Sequence, residues 1–131
     1  RSIADKAVKE VSYHLRRSSQ WVIRLGDGTD VSHEKMQTAI NSAWRFTGEL
    51  LSKDEVDDML ETDGLIPDAS KTSQLWKHSI ETILTQATLD RPDYAAWMYM
   101  GGKQGEHTEC LGFILTEMQY LQRAYPDAKV W

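Results

Sequence analysis

Apolar residues in this chain recur at helical spacing along most of its length. From Ile3 to Leu25 the positions Ile3, Ala7, Val11, Leu15, Trp21, Val22 and Leu25, with Ser18 among them, return every three or four residues. That is the period of a helix with one face turned to a core. No stretch shows the period-two alternation of valine, isoleucine or threonine that a half-buried strand requires. The chain is therefore expected to be all-α, with residues 1–131 forming a single helical domain of long antiparallel helices joined by short connecting ones.

Local signals divide the pattern into helices. Gly26 and the following Asp27-Gly28-Thr29-Asp30 stop the first helix. Ser32 or Asp30 caps a second, running to about Leu51 with Met36, Ala39, Ile40, Ala43, Trp44, Thr47, Leu50 and Leu51 inward; Thr47 is expected to bond to its own backbone. Ser52 and Glu55 read as a capping box for a short helix ending near Asp63-Gly64. Asp68 or Ser70 caps a fourth helix, to about Ala87, with Leu75, Trp76, Ile80, Ile83, Leu84 and Ala87 on one face. Pro92 suits the first turn of another short helix leading into Gly101.

The densest information lies between Gly101 and Arg123. Gly101, Gly102 and Gly105 surround Lys103, and a patterned helix follows, with Leu111, Ile114, Leu115, Met118, Leu121 and Tyr125 on one side. Phe113, Tyr120 and Ala124 fall on the opposite side, so this helix calls for a second packing surface, in the same chain or on a partner. Gly101 and Gly102 are expected to end the preceding helix in left-handed conformation. A second reading has Gly102, Lys103 and Gly105 bring backbone N–H groups and an ammonium onto a phosphate. His107 and Glu109, flanking the helix start, read as capping and interface residues.

Twenty acidic against fifteen basic residues leave a formal charge of −5, which argues against nucleic acid and an anionic membrane as partners. The single cysteine, Cys110, permits no internal disulfide and reads as a core or interface residue in a reducing, cytoplasmic setting. No apolar run reaches the length of a membrane span. Arg1 stands at or inside the first helix, as if the N-terminus lay further upstream.

Catalytic chemistry finds little support. Glu10 and His14 are one turn apart on the line of Ile3 and Trp21, which points them toward the margin of the core and raises a metal-ligand pair. Against that stands a hydrogen-bonded core-edge histidine with Glu10 as acceptor. None of the nine glutamates has a histidine three residues on, so the Glu-x-x-His repeat of helical di-iron proteins is missing. Asp30 and His33 read as a cap at a loop-to-helix corner. No HExxH, nucleophile elbow or cysteine pair occurs.

Several blocks carry a resemblance. Lys9-Glu10 with Tyr13-His14-Leu15-Arg16, Leu25 through Ser32, Trp44 through Thr47, Gly101-Gly102-Lys103, His107-Thr108-Glu109, Leu111-Gly112 and Glu117 through Arg123 closely resemble the C-terminal half of the PaaC family. These are the non-catalytic C subunits of ring-1,2-phenylacetyl-CoA epoxidase. The resemblance implies a ferritin-like helical bundle, of which this chain would be the C-terminal part. It implies a structural subunit that binds no cofactor, supporting a catalytic partner that carries the di-iron centre and inserts oxygen into the ring of phenylacetyl-CoA during aerobic phenylacetate degradation. It implies hetero-oligomers and leaves self-association open, since two long one-sided helices ordinarily need two more.

On that resemblance His14 would occupy a former ligand position, with Val11 where its glutamate should stand and Asn41 and Trp44 replacing a Glu-x-x-His. Gly101, Gly102, Lys103, Gly105, His107, Glu109, Phe113 and Tyr120 are the candidates for a partner interface or a CoA phosphate. The alternative is a ferritin-like di-iron oxygenase or a CoA-thioester-binding enzyme whose ligands are completed by a missing N-terminal half.

Overall fold

The computed structural model describes residues 2–129; the expectations that touch Arg1 and the terminal Trp131 fall outside the described residues. The described residues form helices, turns and irregular chain with no strand among them. By chain contacts they divide into two compact units, the first ending at Tyr99 and the second beginning at Met100.

The first unit is built on three helices that meet at one end. Helix α1 spans Ser2–Gly26, α2 Asp30–Ala43, α3 Glu55–Thr62 and α4 Ala69–Gln86. Capping follows the chemistry of short oxygen-bearing side chains, with shifts from the expected residues. Thr29 caps α2: its Oγ1 accepts from Ser32 N–H at 3.3 Å, and Ser32 Oγ accepts from Thr29 N–H at 3.0 Å. Asp30 is thus the first helical residue and Ser32 the reciprocal member of the box. At α3 the box moves two residues along from Ser52 and Glu55. Asp54 Oδ1 accepts from Val56 and Asp57 N–H at 2.9 Å, and Asp57 answers through Asp54 N–H at 3.1 Å. Ser52 is occupied elsewhere, its hydroxyl donating to Glu49 O at 3.1 Å. Asp68, one of the two residues expected to cap α4, does so through Ser70 and Lys71 N–H.

One predicted helix stops short and another does not form. The second was expected to reach Leu51 but ends at Ala43 and continues as two 3₁₀ turns, Trp44–Phe46 and Gly48–Leu51. The carbonyls that would extend it are taken by other donors. Trp44 O accepts from Thr47 N–H at 3.0 Å and from Thr47 Oγ1 at 2.8 Å; Arg45 O accepts from Tyr99 N–H at 2.8 Å. The helix expected between Pro92 and Gly101 is instead irregular chain. Asp93 bends it by accepting from Ala95 N–H at 2.9 Å, an Asx turn.

This irregular segment is strapped along α2. Asp90 N–H donates to Gln37 Oε1 at 2.8 Å while Gln37 Nε2 donates to Asp90 O at 3.0 Å. Trp44 Nε1 donates to Asp93 O at 3.1 Å.

The core lies where α1 ends, α2 begins and α4 ends. Leu84, Ala87 and Leu89 are buried, with Val22, Ile23, Met36, Ile40 and Ile80 packed against them; Trp44 is the other buried apolar side chain. Gly26 belongs there because a Cβ on it would stand 2.4 Å from Ala87 O and 2.8 Å from Ala87 Cβ. Its carbonyl accepts from His33 Nδ1 at 2.7 Å and from Thr88 Oγ1 at 3.4 Å, so His33 closes the corner as a cap, in the Nδ1–H form. Helix α4 ends in a Schellman motif, Leu89 N–H to Leu84 O at 3.0 Å and Thr88 N–H to Thr85 O at 3.2 Å. That motif puts Thr88 at φ +56°, a conformation β-branched residues rarely adopt.

The second unit holds a glycine-rich turn, helix α5, Cys110–Met118, and helix α6, Tyr120–Ala124. One continuous helix was expected here; it is interrupted at Gln119 (φ −104°, ψ 1°). Nothing in the sequence explains that break. The side chains expected to face a core are largely exposed, Ile114, Leu115, Met118, Leu121 and Tyr125 among them, and Cys110 is exposed as well.

Candidate functional site

Helices α1, α2 and α4 diverge from the buried corner and leave a groove of about 230 Å³ between them. Leu15 and Val22 form one wall, Ile40 and Trp44 a second, Trp76 and Ile80 the third. The apolar stripes read from the three helices therefore do converge. The hydroxyls that line the groove are committed to their own helices: Ser18 to His14 O at 2.8 Å, Ser19 to Leu15 O at 2.6 Å and Thr47 to Trp44 O. No lining residue is an acid, a base or a thiol. Hydrocarbon and indole rings bound the space, so it can accept apolar side chains but offers nothing to transfer a proton or bind a metal.

Aromatic side chains extend this apolar surface. Trp44 lies 6.0 Å from Trp76 and 5.5 Å from Tyr94 between ring centroids. Arg91 stacks 4.2 Å above Tyr94. The Tyr94 hydroxyl is buried without a hydrogen-bond partner among the described residues. Burial raises its pKa, the Glu81 carboxylate adds to the rise and the Arg91 guanidinium opposes it. Phe46 and Tyr99 stack at 4.9 Å with planes 6° apart, and Trp97 meets Tyr99 edge-on at 4.4 Å. Trp97 and Tyr99 belong to the strap, where Pro92 and Gly101 point to a short helix that the structure does not form.

Glu10 and His14 are both exposed on α1, away from the core margin where the sequence placed them. They lie on the line of Ile3 and Trp21, and that line is itself exposed in the structure. The ring contact of His14 is an edge-on one with Tyr13, at 5.6 Å. Among the described residues no group of three or more His, Cys, Asp or Glu side chains could hold a metal ion. A di-iron centre draws on six side chains from four helices; one exposed Glu–His pair does not fit it.

The second unit brings together the remaining candidates. Gly101 and Gly105 take φ +109° and +88°, where glycine is favoured, and bracket a 3₁₀ turn, Gly102–Gln104. Gly101 opens this turn and does not end a helix. Its carbonyl accepts from Gln104 N–H at 3.0 Å and Glu106 N–H at 2.8 Å. The Glu106 carboxylate lies against Gly101, 2.6 Å from where a Cβ would stand, so an approaching phosphate would meet a like charge. Lys103, His107 and Glu109 are exposed; Glu109 stands at the α5 N-cap position without a side-chain capping bond. Phe113 and Tyr120 are 70% and 63% exposed.

With this geometry in hand, comparison with known proteins places the chain among relatives. Residues 1–131 match the family described as phenylacetic acid catabolic protein. The chain is also similar to the C subunit of the 1,2-phenylacetyl-CoA epoxidase of Escherichia coli (strain K12), with 49% identity over 125 residues, covering 95% of this chain and 50% of that protein. It thus spans about half the length of this curated relative.

Proposed function

The chain belongs to the phenylacetic acid catabolic protein family, and on that premise we propose that it acts as a non-catalytic, structural part of a multicomponent phenylacetyl-CoA epoxidase, binding and supporting a catalytic subunit. The relative's description as the C subunit of such an epoxidase supports the assignment to that complex. The observation that carries the structural role is the groove between α1, α2 and α4. It is the apolar meeting point of three helices and contains no titratable side chain. Burying hydrocarbon there stabilises an assembly by roughly 25 cal/mol per Å², whereas chemistry would need groups the groove lacks. In this reading the di-iron centre belongs to the partner subunit. The exposed Phe113 and Tyr120, with the Gly101–Glu109 segment, form part of the contact surface.

Co-expression with the catalytic subunit of the epoxidase tests the proposal, with light scattering and iron analysis of the purified species. A stoichiometric complex whose iron stays with the catalytic subunit on dissociation is expected. A chain that purifies alone, or that itself retains stoichiometric iron, overturns it.

A further inference from the structure

Helix α1 has a chemically distinct outer face. At 3.6 residues per turn, Lys6, Lys9, Arg16, Arg17 and Arg24 fall within an arc of about 100°, in a row about 27 Å long. All five are exposed, and none makes an ion pair among the described residues. The chain as a whole has twenty carboxylates to fifteen cations, yet α1 carries five cations against Asp5 and Glu10 alone. Its surplus positive charge is therefore gathered on one helix face and left unanswered.

Two aromatic rings order this row. Arg16 Cζ stands 5.9 Å from the centroid of Tyr13, and Arg17 Cζ is 5.9 Å from that of Trp21. Stacking of this kind holds a guanidinium in place while leaving its N–H donors pointing outward. Arginine, tyrosine and tryptophan are also the side chains that carry most binding energy in protein interfaces.

We propose that this face of α1 is a docking surface for an acidic helix of a protein partner, whose carboxylates pair with the row of cations. A straight row of cations matches charges repeating along another helix. Asp5 and Glu10 border the arc on either side and would repel a uniformly anionic polymer such as nucleic acid. No aliphatic side chain lies within the arc, so it lacks the apolar residues with which basic helices enter a lipid surface. The proposal stands apart from the epoxidase reading: it concerns the solvent side of α1, opposite the groove.

The test uses the full chain and a synthetic 21-residue helical peptide with glutamate repeating every three or four residues along one face. Its sequence-scrambled form, a 20-nucleotide single-stranded DNA and vesicles containing phosphatidylserine serve as comparisons. The helical peptide is expected to bind most tightly, to weaken steeply with added salt, and to shift the amide resonances of α1 between Lys6 and Arg24. The triple variant Arg16→Glu, Arg17→Glu, Arg24→Glu is expected to bind at least about tenfold more weakly. Resonance mapping on the unsubstituted chain decides the matter should that variant not fold. Absence of binding, shifts located elsewhere, equal affinity for the scrambled peptide, or tighter binding of the DNA or the vesicles overturns the proposal.

Discussion

Gln37 pairs with the backbone of Asp90 through both ends of its amide, accepting from the N–H at 2.8 Å and donating to the carbonyl at 3.0 Å. A side chain here does the work of a neighbouring strand and fixes the irregular segment after α4 along α2. Gln37→Glu keeps the acceptor, removes the donor and sets a negative charge against the Asp90 carbonyl. It should cost about 1–3 kcal/mol in urea unfolding, more than the exposed control Gln20→Glu.

Gly26 is held against Ala87 more closely than any side chain allows, with a hypothetical Cβ 2.4 Å from a carbonyl oxygen. Gly26→Ala must push α1 and α4 apart at the most buried point of the first unit. A loss of about 2–3 kcal/mol, read as a lower urea midpoint, is expected. Gly64, with no atom near its missing Cβ but a φ of +68°, supplies the contrast. There the cost of alanine comes from the backbone alone, about 1 kcal/mol.

Thr88 sits at φ +56° where a glycine would ordinarily end the helix. Its hydroxyl bond to Gly26 O, at 3.4 Å, is long. Relief of the backbone conformation should outweigh loss of that bond, so Thr88→Gly is expected to raise the melting temperature, by the equivalent of about 0.5–1 kcal/mol. Thr88→Val keeps the branched Cβ and exchanges the hydroxyl for a methyl that cannot bond to Gly26 O, and should lower it.

The Asp68 carboxyl is held below its ordinary value of 3.8 by the Ser70 hydroxyl first, then by the N–H groups of Lys71 and Ser70. A depressed carboxylate contributes stability that is present above its unfolded pKa and is lost as pH falls through its folded one. Thermal unfolding followed downward from pH 5 should therefore show a decline that Asp68→Asn removes, since asparagine still caps the helix but does not titrate. Asp68→Ala should lower stability at every pH.

Where sequence and structure agree, the residue in question acts on its own neighbours. Gly26 ends α1 and Asp68 starts α4 because the signal and its partner lie within one turn. Where they differ, a distant group intervenes. The α2 periodicity continues to Leu51, but Tyr99 N–H captures the Arg45 carbonyl, and no local pattern announces that. The groove was legible for a different reason: Leu15, Val22, Ile40, Trp44, Trp76 and Ile80 each belong to a stripe, and the stripes of three helices meet there. Glu10 and His14 share a line with Ile3 and Trp21, which places them near the core by periodicity, whereas that line is exposed here. The cations of α1 were countable one by one, but their importance rests on their making no ion pair among the described residues, which only the fold reveals.

Helix α1 is about 37 Å long, and from Ser2 through Ser18 every residue is exposed; partial burial begins at Ser19 and full burial at Gly26. Its first turns are protected from solvent by their own backbone bonds alone, while its last turn shares the fate of the whole corner. Amide hydrogens should therefore exchange in a gradient along one helix, fastest toward Ser2 and slowest near Asp27, whose N–H is tied to Ile23 O at 2.9 Å. Such a helix reports on its own occupancy: a partner that covers the early turns slows exchange where it sits and leaves the slow end unchanged.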